Sequence, residues 1–244
     1  MALVAYLVVR RGQVVRQKAM WRGSRVVITG GSAGLGLAMA EELVSLGASV
    51  TILARNQQRL DEAEAVLSQL LSNQERKDGQ FVLALSTDVT DVASLQSARD
   101  SIVQKQQGKP IDFLICCAGV AKPGLFTDTS LDTFEQQMQV NYLGTVKAIK
   151  TFLPDLISCP NPSKRVVLVA SAMSLCGFVG YSQYAATKYA LRGLAECLRN
   201  EFLLYDIGVS IFYASSMDSP GYAIEELTKP SLTRQIEGTA TLFQ

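Results

Sequence analysis

From Arg25 onward, short apolar runs alternate with stretches whose apolar residues recur at helical spacing. Arg25 to Thr29 reads as a first strand and Gly34 to Gly47 as a helix that stops at a glycine. Ser49 to Ala54 is a second strand. Gln57 to Ser72 is a long helix carrying Leu60, Ala63, Leu67 and Leu70 on one face. A strand at Phe81 to Ser86, a helix at Val92 to Gln107 and a strand at Asp112 to Cys116 follow. The second half continues with a helix from Leu131 to Leu156, expected to be interrupted near Pro154. Arg165 to Ala170 is a continuous apolar strand, the form expected when helices cover both faces of a sheet. Tyr181 to Tyr205 is a helix, Gly208 to Tyr213 a sixth strand, and the pattern after Pro220 is helical. Strands separated by helices imply parallel crossovers, so the expected fold is α/β, a doubly wound parallel (Rossmann) sheet with helices on both faces.

Composition narrows the function. The chain has 244 residues, 23 Lys and Arg against 22 Asp and Glu, and 48% hydrophobic residues. That suits one globular domain of residues 25–244, and the balanced charge gives no footprint for nucleic acid. Histidine is absent, which removes Ser-His-Asp and Cys-His hydrolase chemistry and any histidine metal site. The five cysteines, Cys116, Cys117, Cys159, Cys176 and Cys197, form no CxxC and read as small hydrophobes; Cys116 and Cys117 are adjacent in a strand and point apart. No metal is expected.

Residues 1–24 form a leader. Ala2 to Val9 is apolar and is followed by Arg10, Arg11, Arg16, Lys18, Arg22 and Arg25. A bilayer span needs about 20 apolar residues, so this run does not cross alone. Two readings stand: a frayed amphipathic leader, or the remnant of a membrane anchor whose basic flank keeps the domain cytosolic.

The chemistry begins at Gly30-Gly31-Ser32-Ala33-Gly34-Leu35-Gly36, between the first strand and its helix. Glycines let the backbone approach a pyrophosphate that the helix N-terminus attracts, while a plain glycine-rich turn is the alternative. The second strand ends in Leu53-Ala54-Arg55-Asn56, with no acid to accept from ribose hydroxyls. Arg55 there, with Ser32 and with Arg59 in the next helix, would suit a 2′-phosphate and hence NADPH; otherwise the two arginines merely solvate a helix start. Asp88 after the third strand suits the adenine amino group, or equally caps the helix entering at Val92. Cys117-Ala118-Gly119 is a small-residue turn beside the same crevice.

The group that decides is Tyr184-Ala-Ala-Thr-Lys188, with Ser171 thirteen positions upstream at a strand end. Four residues apart, tyrosine and lysine share a helix face. A phenol's ordinary pKa is about 10, and a nearby ammonium favours phenolate. Ser171 can donate to a substrate oxygen, and the Asn141 amide could hold a water linking Lys188 to solvent. A YxxxK match alone is common among packing tyrosines; its conjunction with the serine and the glycine loop is what points to ketone or alcohol redox chemistry.

Together these residues resemble the short-chain dehydrogenase/reductase superfamily, from about Arg25 to Ser231. Within it, VVITGGSAGLG, VTILARN, VNYLGTVKAIK, YAATKYALRGLAECLRNE and DSPGYAIEELTKP are similar to the 3-ketodihydrosphingosine (3-ketosphinganine) reductases. The resemblance implies that Tyr184 protonates the substrate oxygen, Lys188 lowers its pKa and binds the nicotinamide ribose, Ser171 polarises the carbonyl and Asn141 supports a proton relay. It implies that Gly30, Ser32, Ala33, Gly34 and Gly36 line the phosphates, Arg55 and Arg59 read the 2′-phosphate, and Asp88 reads the adenine. The implied reaction is NADPH-dependent reduction of a long-chain sphingoid ketone to sphinganine. The implied setting is the endoplasmic reticulum membrane, with a cytosolic domain and a homodimer paired through Leu131 to Leu156 and Tyr181 to Tyr205.

Three departures from the family pattern stand out. Cys116-Cys117 replace a polar pair before Ala118-Gly119. Ala214-Ser215-Ser216 replace the usual proline and glycine, with Ser219 at the usual threonine. The family also continues into another helix and a seventh strand beyond the point where this chain stops, so a truncated, weakly active or aggregating product is expected. The competing readings are a short-chain reductase for a steroid, retinoid or acyl ketone, and a non-catalytic dinucleotide-binding protein.

Overall fold

A computed structural model describes residues 20–72 and 79–237. Six parallel strands form one sheet in the order β3-β2-β1-β4-β5-β6. The strands are β1 (Arg25–Thr29), β2 (Ser49–Ala54), β3 (Val82–Ser86), β4 (Phe113–Cys116), β5 (Arg165–Ser171) and β6 (Gly208–Ala214). The helices are α1 (Gly34–Ser45), α2 (Gln57–Ser72), α3 (Val92–Lys105), α4 (Leu131–Gln137), α5 (Gly144–Ser158), α6 (Ser182–Glu201), α7 (Pro220–Thr228) and α8 (Ser231–Glu237). This is the doubly wound Rossmann arrangement that the alternation of patterns predicts.

The pleat sorts each strand between two cores. Val26 and Ile28 of β1, with Phe113 and Ile115 of β4, pack under α1 and α2 against Ala40, Leu43, Leu60 and Leu67. Val27, Leu114 and Cys116 face the other way, onto Leu95 and Ile102 of α3, Phe152 of α5 and Leu191 of α6. Strands buried on both faces must be apolar almost throughout, which is why their sequences read as runs. Cys116 and Cys117 lie against opposite cores, as adjacent strand residues must. Burial pushes the Cys116 thiol up to about 12 and the Cys117 thiol to about 11, so neither is a thiolate at neutral pH.

Three local features differ from expectation. The long helix from Leu131 is not interrupted at Pro154, which lies inside an unbroken α5. The break is a π-helical segment at Met138–Leu143, which contains Asn141. A wider turn of this kind inserts one extra residue and shifts the face that the following residues present. The helix after β3 is capped by Asp91, whose Oδ1 accepts from the Ala93 N–H at 2.9 Å, and not by Asp88. The helix from Tyr181 ends at Glu201 and tightens into a 3₁₀ turn, Phe202–Tyr205, closed by Asp206 in the left-handed region.

Most of the leader, residues 1–19, lies outside the described residues. Trp21 belongs to the domain: its ring lies 4.4 Å from that of Phe113. Among the described residues β6 pairs on one side only, with β5, and Phe212 and Tyr213 near its end are exposed. No helix among the described residues is long and apolar enough to cross a membrane.

Candidate active site

Strand order reverses between β1 and β4, so their crossovers lead to opposite faces and open a crevice at the strands' C-terminal ends. The glycine loop, Arg55, Asp88, Cys117 and Ser171 all lie at or just beyond strand ends on that side. Gly30 adopts φ +72°, and a Cβ there would stand 2.8 Å from the Ala118 backbone. At Gly36 a Cβ would meet the Gly30 carbonyl at 2.2 Å. The loop is therefore closed on itself and against the turn after β4, a fit only hydrogen side chains permit.

Helix α1 starts at Gly34 with Ala33 before it and no side-chain cap, so its first N–H groups have no side-chain acceptor. An uncapped helix start behind a glycine cradle fits a phosphate-bearing ligand. Ser32 lies at the same turn, half-buried. Across the crevice, Thr29 Oγ1 accepts from both Cys117 and Ala118 N–H groups at 3.2 Å, which holds the small-residue turn in place. The pattern gave Thr29 only as a strand end.

Arg55 and Arg59 are both exposed at the end of β2 and the start of α2. Asn56 caps that helix, accepting from the Arg59 N–H at 2.9 Å, so the guanidinium groups are not needed there. Asp88 accepts from the Thr90 N–H and hydroxyl, both at 2.8 Å. Burial pushes its carboxyl up. The Thr90 bonds and the charges of Arg55 and Lys147 outweigh that and hold it below the usual carboxylate range. Arg55 and Asp88 thus face each other across the ends of β2 and β3.

Ser171 ends β5, Tyr184 and Lys188 lie one turn apart on α6, and the three meet. The Lys188 ammonium sits 5.5 Å from the Tyr184 ring centroid and donates to the Val169 carbonyl at 3.0 Å. Burial pushes the lysine down to about 8, with the neighbouring Cys117 opposing it. Burial also pushes the Tyr184 phenol up; the Ser171 hydroxyl pulls it back, and the charge of Glu225 adds to the rise. The protein alone therefore holds Tyr184 as a phenol, ready to give a proton. The expected lowering by the Lys188 ammonium is not what dominates here. Ser171 also accepts from the Met173 N–H at 3.2 Å, so its oxygen is fixed toward the crevice end of the strand.

The Asn141 amide has a structural role as well as the relay expected of it. Its Oδ1 accepts from the Val120 N–H at 2.8 Å, and its Nδ2 donates to the Val120 carbonyl at 2.9 Å and the Thr187 hydroxyl at 3.0 Å. The amide is occupied, fully buried, in fastening the turn after β4 to α6. Both amide hydrogens are used in this way, and Oδ1 keeps one lone pair free. Gly119 sits over this knot, where a Cβ would come 3.3 Å from Asn141 Oδ1 and 3.6 Å from Lys188 Nζ.

Two residues not singled out as site residues in the sequence lie beside Tyr184. Tyr181 is buried, its hydroxyl donates to Glu225 Oε1 at 2.5 Å, and its ring stands edge-on to Tyr184 with centroids 6.1 Å apart. Glu225 lies on α7, whose N-cap Ser219 accepts from the Tyr222 N–H at 3.1 Å. Ser219 also packs 3.1 Å from where a Gly34 Cβ would be. Helix α7 thus runs from beside the glycine loop toward Tyr181 and Tyr184.

Residues 24–226 match the model of the short chain dehydrogenase family. The chain belongs to that family. Its sequence is 37% identical to a 3-ketodihydrosphingosine reductase of Bos taurus over 222 residues, covering 90% of this chain and 64% of that one. It is 35% identical to a 3-ketodihydrosphingosine reductase of Dictyostelium discoideum over 246 residues, covering 97% and 72%. The chain thus spans about two thirds of these relatives' length. In fold it is similar to a short chain dehydrogenase/reductase of Burkholderia phymatum solved in complex with NAD, with a TM-score of 0.75 at 23% identity over 92% of this chain and 75% of that one. A short-chain type dehydrogenase/reductase from Mycobacterium ulcerans gives the same TM-score at 21% identity, over 88% and 74%.

Proposed function

We propose that this chain is an NADPH-dependent reductase that converts 3-ketosphinganine to sphinganine. The observation that carries the reading is the meeting of Ser171, Tyr184 and Lys188 at the strand ends facing the glycine loop. The substrate class rests on the relatives named as 3-ketodihydrosphingosine reductases. A reduced nicotinamide, held by the glycine loop and Lys188, would supply hydride for the ketone carbon. Tyr184 gives its hydroxyl proton to the ketone oxygen, and Ser171 donates a hydrogen bond to that oxygen as charge develops. Lys188 stabilises the phenolate that results and holds the nicotinamide ribose. Gly30, Ser32, Ala33, Gly34 and Gly36 present backbone to the pyrophosphate. Arg55 and Arg59 would hold the 2′-phosphate, and Asp88 would accept from the adenine amino group. Asn141 acts by position, through the turn after β4 and α6.

The test is loss of reduced-nicotinamide absorbance with 3-ketosphinganine, abolished in Tyr184→Phe. Cofactor binding without turnover of any ketone would instead favour a non-catalytic dinucleotide-binding protein. We further infer an endoplasmic reticulum location, the domain facing the cytosol, and a homodimer paired through α5 and α6. The basic residues after the apolar leader support the orientation. Membrane fractionation and protease protection test the location, and sedimentation tests the dimer.

A further inference from the structure

Glu225 is a half-buried carboxylate beside the catalytic phenol. One oxygen, Oε1, accepts from Tyr181 at 2.5 Å; the other has no hydrogen-bond partner among the described residues. Satisfying the buried Tyr181 hydroxyl needs only a neutral acceptor. Partial burial of a charge costs free energy that a glutamine at this place would avoid. The neighbouring cations are already engaged. Lys229, almost fully buried, pairs with Glu226 and with Glu237, the latter at 2.8 Å, and Arg234 donates to the Glu226 carbonyl. Among the described residues Glu225 thus has no ion-pair partner; burial raises its carboxyl above the ordinary value, and Tyr181, edge-on to Tyr184, holds it by a hydrogen bond.

We propose that Glu225 is the specificity residue of this site, its carboxylate pairing with a primary ammonium on the carbon beside the substrate ketone. The proposal rests on the reading of the substrate as a long-chain amino ketone and deepens it. With the ketone oxygen at the Tyr184 hydroxyl, the vicinal amine of such a substrate lies within a few ångströms of that oxygen, on the Tyr181 and Glu225 side in one of two orientations. The ion pair selects that orientation and therefore which face of the ketone meets the nicotinamide. Ile224 and Leu227 of the same helix are exposed apolar residues available to an alkyl chain. The charge has a second effect. In the free protein it adds to the rise in the Tyr184 pKa that burial chiefly causes, and pairing with the ammonium relaxes that added part.

The test compares full-length wild type and Glu225→Gln at pH 7 with NADPH, using 3-ketosphinganine and its des-amino analogue. Glutamine keeps an acceptor for Tyr181 and removes only the charge. Wild type is expected to favour the amino ketone in kcat/KM by about tenfold to a hundredfold, the range of a charge-assisted hydrogen bond. In E225Q that ratio should fall toward one, mainly through KM. A wild-type ratio near one, or a ratio unchanged in E225Q, overturns the proposal. A second arm measures binding of sphinganine and octadecane-1,3-diol to the NADP⁺-saturated proteins by calorimetry. A preference for sphinganine that E225Q loses supports the proposal, and equal affinities overturn it. If wild type turns over neither ketone, the proposed activity fails and the affinity ratio alone decides Glu225.

Discussion

The Asn141 amide donates to the Thr187 hydroxyl at 3.0 Å, and Thr187 in turn donates to the Tyr184 carbonyl at 2.7 Å. The same amide holds both backbone groups of Val120. One side chain thus sets the distance between the turn after β4 and the catalytic helix. Replacing it with alanine leaves buried polar groups without partners, at about 1–3 kcal/mol each. Asn141→Ala is therefore expected to lower unfolding stability by about 2–4 kcal/mol and to reduce kcat, as denaturant titration and steady-state kinetics would show. A variant that loses activity with an unchanged unfolding midpoint would leave Asn141 with the relay role alone.

Lys188 gives a pH dependence with a definite sign. Its folded pKa of about 8 lies below the ordinary 10.5, because burial disfavours the ammonium. Between these values the unfolded chain holds a proton that the folded one has lost, so this group's contribution to stability rises with pH. That contribution is complete above 10.5 and is lost as pH falls through 8. Its size is about 3 kcal/mol, from about 1.4 kcal/mol per pH unit. The stability difference between wild type and Lys188→Met, from urea titrations at pH 7 to 10, should grow by that amount in favour of wild type. A flat difference would mean that Lys188 remains charged in the fold.

Much of this arrangement is legible in the chain because its cause is local. Strands covered on both faces must be apolar runs, and β1 and β2 begin and end where those runs do. Glycines mark where the backbone must approach itself, and a four-residue spacing on α6 brings Tyr184 to Lys188. What is not legible depends on distant partners. The π-helical turn around Asn141 leaves no hydrophobic signature, whereas Pro154 looks like a break and is not one. Asp88 and Asp91 are equally good caps on paper; only the geometry gives the helix to Asp91. Tyr181 and Glu225 stand 44 positions apart, and nothing in either neighbourhood names the other.

Gly30 tests the glycine cradle. With φ +72° and a Cβ position 2.8 Å from Ala118, alanine there meets both a backbone penalty and a backbone clash. The left-handed conformation costs about 1–2 kcal/mol and overpacking about 1–3 kcal/mol. Gly30→Ala is expected to lose a few kcal/mol of stability and at least tenfold in dinucleotide affinity, read by nicotinamide fluorescence titration. Gly79→Ala is the control for φ alone, because its φ is +84° and, among the described residues, no atom lies within 4 Å of its Cβ position. It should lower stability without weakening dinucleotide binding. Equal affinity in wild type and Gly30→Ala would show that the loop yields, and that its closure against Ala118 does not shape the site.

On the proposed reading, Arg55 and Arg59 set the choice between the two nicotinamide cofactors. Both guanidinium groups are exposed, α2 is capped by Asn56 without them, and no acidic residue ends β2. A 2′-phosphate at this corner would gain charge-assisted hydrogen bonds, and a bare ribose would gain none of them. Asp88 works against this by sharing the field of Arg55, so Arg59 is needed as well. Arg55→Ala and Arg59→Ala should each lower the ratio of kcat/KM for NADPH over NADH by about tenfold, the equivalent of 1.4 kcal/mol. The double variant should fall further, and the NADPH-dependent slope of log KM against log salt should flatten as each charge is removed. A ratio that does not move in either variant would assign the arginines to solvent and leave the cofactor choice to another part of the crevice.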